Sequence, residues 1–110
     1  MRKSKINISG FKIGTAENRE GLTGVTVILA PDGGATAGVD VRGCAPGTRE
    51  TDLLDPRKTV QKIHAVVLSG GSAFGLEAAS GCVKYLAEQG VGFPIGNVCV
   101  PIVCLSLIHI

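Results

Sequence analysis

Apolar and polar positions alternate over several short stretches, and each stretch predicts an element. Phe11-Lys12-Ile13 alternates as a short strand does. Thr23 to Ala30 is rich in β-branched residues and places Val25, Val27 and Leu29 on one face. Pro31-Asp32-Gly33-Gly34 is a turn signal, because glycine accepts positive φ and proline cannot continue a ladder. Beyond it, Ala35 to Arg42 alternates again, with Ala37, Val39 and Val41 facing one way and Asp40 and Arg42 the other. The two stretches together predict an antiparallel hairpin.

A polar loop follows from Gly43 to Glu50, and Asp55-Pro56 predicts the start of a short helix, with Asp55 as N-cap. His64 to Leu68 is a buried strand by pattern, bounded by Ser69-Gly70-Gly71. Ser72 is then expected to cap a longer helix that runs to about Gln89 and stops at Gly90. Gly75, Ala79, Cys82, Val83 and Leu86 form one face of that helix, small enough to press closely on a sheet. Gly81 costs about 1 kcal/mol relative to alanine in a helix interior, and close packing is the expected compensation. No repeat and no linker interrupts the chain. The pattern as a whole is an α+β arrangement of helices on a sheet with antiparallel and mixed pairing.

Composition narrows the function classes. The 110 residues are 45% apolar and 18% charged, a globular balance of single-domain size. With no Trp, one Tyr and three Phe, the chain lacks the aromatics of a single-strand nucleic-acid platform. The net charge of +2 resides largely in Arg2, Lys3 and Lys5, so no basic face for nucleic acid is implied. Asn7 separates Ile6 from Ile8 behind that basic start, so no signal peptide forms and a cytoplasmic location is expected. Residues 98–110, VCVPIVCLSLIHI, are uncharged but too short for a bilayer, which needs about 20 residues, so no membrane partner is expected. An apolar run of this kind needs another segment to cover it. The four cysteines form no C-x-x-C pair and only two histidines are present. The reading is therefore free buried thiols and no metal site.

The most informative segment is LSGGSAFGLEAASG, residues 68–81, where a buried strand passes through two glycines into a helix. A phosphate loop is rejected because Leu76 stands where lysine is needed after the Gly70 and Gly75 spacing. The dinucleotide spacing fails because Gly70 and Gly71 are adjacent. A nucleophile elbow begins correctly at Gly70-Gly71-Ser72, but Phe74 replaces its second glycine and Gly75 comes one step late. His64 begins the same strand, far from Ser72, and reads as a strand-end residue rather than a base. The preferred reading is a turn that lets a helix pack tightly beside a pocket lined by Ser69, Gly70, Gly71 and Ser72.

The order TGVTVILAPDGG, AGVDVRGCAPGTRETDLLDP, IHAVVLSGGSAFGLEAASG, GVGFPIG and VPIV resembles the L-aminopeptidase/D-esterase family over about residues 11–103. That family includes D-aminopeptidases, β-peptidyl aminopeptidases and nylon-oligomer hydrolases. The resemblance implies an α-β-β-α sandwich, incomplete here, and a precursor that cuts its own backbone before a Ser or Thr. The freed α-amine, with a pKa near 7.7–8.0, then serves as base to its own hydroxyl. Substrates implied are peptides, amino-acid amides or esters, with no metal or organic cofactor and a homo-oligomeric whole protein.

The resemblance corresponds to the early part of a family member, so the nucleophile lies downstream and no catalytic residue is carried onto this chain. Asp40, Arg42, Arg49, Glu50, Asp52 and Gly75 are motif positions, read as turn contacts, salt bridges and packing rather than as chemistry. Cys44 departs from the family's usual glycine and would strain the turn if positive φ is needed there. Residues 1–104 are expected to be the front part of one hydrolase domain. Residues 105–110 resemble a translated sequencing-library adapter, which removes His109 from consideration. Two other readings stay open: a noncatalytic small-molecule-binding or assembly module, and an acyltransferase of the kind used in ornithine acetylation.

Overall fold

The computed structural model describes residues 7–108; Arg2, Lys3, Lys5 and His109 lie outside them. Strands β1 (Lys12–Asn18) and β2 (Thr23–Leu29) form an antiparallel hairpin, with Lys12 opposite Leu29 and Asn18 opposite Thr23. The two-residue strand β3 (Thr48–Arg49) comes next, and then the central strand β4 (Ala65–Ser69). Helix α1 (Ala78–Glu88) leads through a small hairpin, β5 (Phe93–Ile95) and β6 (Val98–Val100), into β7 (Val103–Leu107). The main sheet has the order β1-β2-β4-β7-β3. Strand β4 is antiparallel to β2 and parallel to β7. Parallel neighbours require a crossover, and α1 provides it. Among the described residues the domain is thus a mixed α/β unit with one α-helix and two sheets.

Residues paired in register share a face. Ala65, Val67 and Ser69 of β4 therefore stand with Val25, Val27 and Leu29 of β2 and with Val103, Leu105 and Leu107 of β7. Ala79, Cys82 and Leu86 of α1 pack on this face, with Val83 partly buried beside them. Val67, Val103 and Leu105 are the largest fully enclosed side chains. Each stabilises the fold by about 2 kcal/mol relative to an exposed position. On the opposite face Thr26, Ile28, Val66, Leu68 and Ser106 are only half-buried.

The hairpin expected between Thr23–Ala30 and Ala35–Arg42 is not formed. The turn is present, with the Gly34 N–H donating to the Pro31 carbonyl at 2.9 Å, but only Ala35 pairs beyond it, with Ile63. The reason is topological: β1 takes one edge of β2 and β4 the other, so no edge is left for residues 36–42.

The helix expected from Asp55 is absent as well. A 3-10 turn, Asp52–Leu54, precedes it, and Asp55 itself is extended at φ −63°, ψ 125°. A residue before proline is disfavoured in the helical region. The Asp55 carboxylate instead accepts from the Arg57 backbone N–H at 2.9 Å and its guanidinium at 2.7 Å, which holds its pKa below the usual value.

Two further expectations are corrected at the long helix. Ser72 is not its N-cap. Gly71 and Ser72 both occupy the left-handed region, at φ 88° and 57°, and a 3-10 segment, Ser72–Glu77, precedes α1. An N-cap needs an extended backbone to turn its side chain onto the following N–H groups, and no side chain caps this end. Gly81 does not pack closely either; a Cβ there would meet nothing within 4 Å. The C-terminal stop is as expected. Gly90 is left-handed at φ 71°, and the Val91 N–H returns to the Leu86 carbonyl at 3.0 Å, as in a Schellman closure.

These observations set opposite expectations for two glycines. Gly81→Ala should stabilise the folded protein by about 1 kcal/mol, raising the thermal midpoint by several degrees. Gly75→Ala should destabilise it by roughly 1–3 kcal/mol, because a Cβ there would overlap the Gly70 carbonyl oxygen. Differential scanning calorimetry of both variants checks the pair.

Cys104 carries an alkaline prediction. Burial first, and the nearby Glu50 charge second, push its thiol from 9.0 to about 11. The unfolded thiol ionises first, so the contribution is complete below pH 9.0 and is lost as pH rises toward about 11. Up to about 3 kcal/mol is at stake. Denaturant titrations across that range should show the decline in the wild type and a shallower one in Cys104→Ala.

Candidate functional site: the glycine turn

The carboxyl end of β4 is fixed on two sides before the chain turns. The Ser69 carbonyl accepts from the Ile108 N–H at 2.8 Å, and the Gly70 N–H donates to the Gly24 carbonyl at 3.0 Å. The buried Ser69 hydroxyl donates to the Gly70 carbonyl at 3.1 Å. Its proton is therefore committed, and only its lone pairs remain to meet a ligand. Gly71 and Ser72 then reverse the chain in two successive left-handed residues. For Ser72 this conformation costs of order 1 kcal/mol, strain of the kind that concentrates at functional sites. The same reversal brings Gly75 onto the Gly70 carbonyl, where no side chain fits.

A cleft of about 410 Å³ opens beside this turn. Asn18, Thr23 and Val25 form its sheet side, Ser69 to Gly71 its base, and Phe74 and Ala78 its helix side. Phe74 is 93% exposed. Sequence reasoning singled out Ser69, Gly70, Gly71 and Ser72 but missed Thr23. The Thr23 hydroxyl is buried and has no hydrogen-bond partner among the described residues. It lies 3.4 Å from the point where a Cβ on Gly71 would stand. Nothing local marks Thr23, since its place at the turn comes from the pairing of β2 with β4.

The charged motif residues do not gather at the cleft. Asp40 and Arg42 form an exposed ion pair at 2.7 Å on the irregular segment after the first turn. Asp52 opens the 3-10 turn after β3. Glu50 is left-handed at φ 60°, and its carbonyl accepts from the Cys104 thiol at 3.3 Å. Arg49 reaches furthest toward the turn. Its Nη1 donates to the Ser80 hydroxyl at 2.7 Å and to the Leu76 carbonyl at 3.4 Å, tying β3 to the segment that follows Gly75. Cys44 is not among the residues with positive φ; Gly43 beside it takes that conformation at 93°, so the anticipated strain does not arise.

His64 stands at the opposite end of β4 from Ser72, buried, with its Nδ1 accepting from the Ile102 N–H at 3.0 Å. Burial lowers its pKa from the ordinary value. Cys82 and Cys104 are buried free thiols, as expected, whereas Cys44 and Cys99 are exposed. Among the described residues no three His, Cys, Asp or Glu side chains are grouped to hold a metal ion. No helix among them is long and apolar enough to cross a membrane.

Comparison with known proteins places this sequence in a family. Residues 5–106 match the family described as peptidase family S58. An uncharacterized aminopeptidase of Mycobacterium tuberculosis is 54% identical over 80 residues, covering 73% of this chain and 23% of the relative. A similar uncharacterized aminopeptidase of Mycobacterium leprae is also 54% identical over 80 residues, with 73% and 22% covered. A 6-aminohexanoate-oligomer endohydrolase of Paenarthrobacter ureafaciens is 39% identical over 85 residues, 77% of this chain and 21% of that protein. The chain therefore spans less than a quarter of the length of these relatives. With nearly all of its residues inside the match, the chain belongs to peptidase family S58.

Proposed function

We propose that this chain is the front segment of a self-processing hydrolase that releases N-terminal amino acids from peptides, amides or esters. The nucleophile is a Ser or Thr outside these 110 residues, freed by cleavage of the backbone before it. Its own α-amine serves as general base, an acyl-enzyme forms, and water hydrolyses it. Neither a metal nor an organic cofactor takes part. The whole protein acts in the cytoplasm as a homo-oligomer.

The observation that carries this reading is the glycine turn at the end of β4. It is held by the Gly70–Gly24 backbone bond and opens onto a cleft of about 410 Å³. Ser69, Gly70 and Gly71 line the substrate pocket there, and Ser72, outside the lining, completes the reversal that shapes it. Asp40, Arg42, Arg49, Glu50, Asp52 and Gly75 are scaffold. The sheet supports the reading in a second way. One face is covered by α1, and the other is half-buried with Ile28, Val66 and Leu68. In an α-β-β-α sandwich that second face meets another sheet.

The test uses the full-length protein that carries this segment. Intact-mass analysis should show two chains, the second beginning with Ser or Thr. Replacing that residue with alanine should abolish both the cleavage and the hydrolysis of aminoacyl anilides. Full activity in an uncleaved single chain would sink the proposal. Residues 1–110 alone should give no hydrolysis above background.

A further inference from the structure

At the amino end of β4, His64 binds Ile102 twice. The His64 N–H donates to the Ile102 carbonyl at 2.8 Å, and the Ile102 N–H donates back to His64 Nδ1 at 3.0 Å. The His64 carbonyl also accepts from Ala30 at 2.9 Å, and the neighbouring Ile63 exchanges two 2.9 Å bonds with Ala35. His64 thus joins the end of β2 to the entry to β7, and Ile63 beside it holds the first turn. The imidazole is 6% exposed, and its Nε2 lies 3.5 Å from where a Cβ on Gly34 would stand.

Ile102 is also the root of the β5–β6 hairpin, two residues beyond Val100. That hairpin is a separate two-stranded sheet with Phe93, Ile95, Val98 and Val100 exposed on one side. Two strands alone are marginally stable in water, so the hairpin depends on its attachment.

We propose that His64 is an acid-sensitive clasp, in which neutral Nδ1 pins the root of the β5–β6 hairpin to the central strand and protonation of that atom releases it. The chemistry is a single proton transfer from solvent. Nδ1 accepts a hydrogen bond only while its lone pair is free, so the neutral ring carries its proton on Nε2. Adding a proton to Nδ1 consumes that lone pair, leaves the Ile102 N–H without its acceptor and buries a cation.

Among the described residues no carboxylate is hydrogen-bonded to the His64 ring to offset that cost. The titratable groups on the elements packed around His64 are Lys62 before β4, Asp32 in the turn after β2 and Cys104 on β7. Asp55, on the segment that approaches Ile63, is engaged with Arg57. Desolvation by burial is the one cause of the lowered His64 pKa. The sign follows. The unfolded imidazole protonates first, near 6.5. The clasp is complete above that value and is lost as pH falls from it toward the lower folded-state pKa.

Hydrogen exchange of the full-length protein, corrected for intrinsic rates, reads the clasp directly. From about pH 7.5 to about pH 5.5, protection of residues 98–104 should fall by roughly tenfold in the wild type. His64→Asn places an amide oxygen near the Nδ1 position and cannot titrate, so its protection should stay flat. A flat wild-type profile, or an equal fall in the variant, overturns the clasp. If the variant does not fold, imidazole nitrogen shifts of the wild type decide. The neutral ring must be protonated at Nε2 and must titrate together with the Ile102 amide. A proton on Nδ1, or separate titrations, overturns it.

Discussion

Gly75 stands against the Gly70 carbonyl oxygen with no space for a side chain between them. The position of α1 follows from that approach. The chain leaves β4 in a left-handed reversal, runs through one 3-10 segment in close contact with the strand end, and only then becomes α-helical at Ala78. From there Ala79, Cys82 and Leu86 face Ala65, Val67, Val103 and Leu105. A bulkier residue at Gly75 would push the helix away from the strand it covers. Arg49 reinforces the arrangement by bonding the Leu76 carbonyl and the Ser80 hydroxyl from β3, at the far side of β7.

The same contact shapes the candidate site. Because the 3-10 segment is held so near the strand, Ser69 to Gly71 line a cleft at the turn. The motif running from Asp40 to Asp52 contributes differently. Its members make an exposed ion pair, a helix tie and a carbonyl acceptor for Cys104, each at a separate place. One motif forms the turn, and from the other Arg49 and Glu50 tie neighbouring elements together.

Strand β4 has two ends of contrasting chemistry. The carboxyl end is backbone and small residues, with no titrating group in its hydrogen bonds. The amino end is organised by an imidazole whose protonation state decides whether its nitrogen accepts a hydrogen bond. Five residues separate these ends. One short, enclosed strand lies between the hairpin root and the turn beside the cleft.

Local chemistry alone determined much of this molecule. The β-branched run Val25-Val27-Leu29, the apolar HAVVL segment, the small-residue face of α1 and the Gly90 stop all read correctly, because each depends on residues within a few positions of one another. The glycine turn was legible for the same reason. Pairing was not. The Ala35–Arg42 stretch has the alternation of a strand but no free edge of β2 to join, and that is decided by β1 and β4, distant in sequence. Gly81 and Gly75 look alike along the chain, yet one faces open space and the other a carbonyl. Thr23 reaches the turn, and His64 reaches Ile102, only because strand pairing brings residues tens of positions apart into contact. The sequence determined which elements can form; the tertiary structure decided their partners, since a strand's hydrogen bonds and a helix's burial are satisfied by whatever neighbour the whole chain brings near.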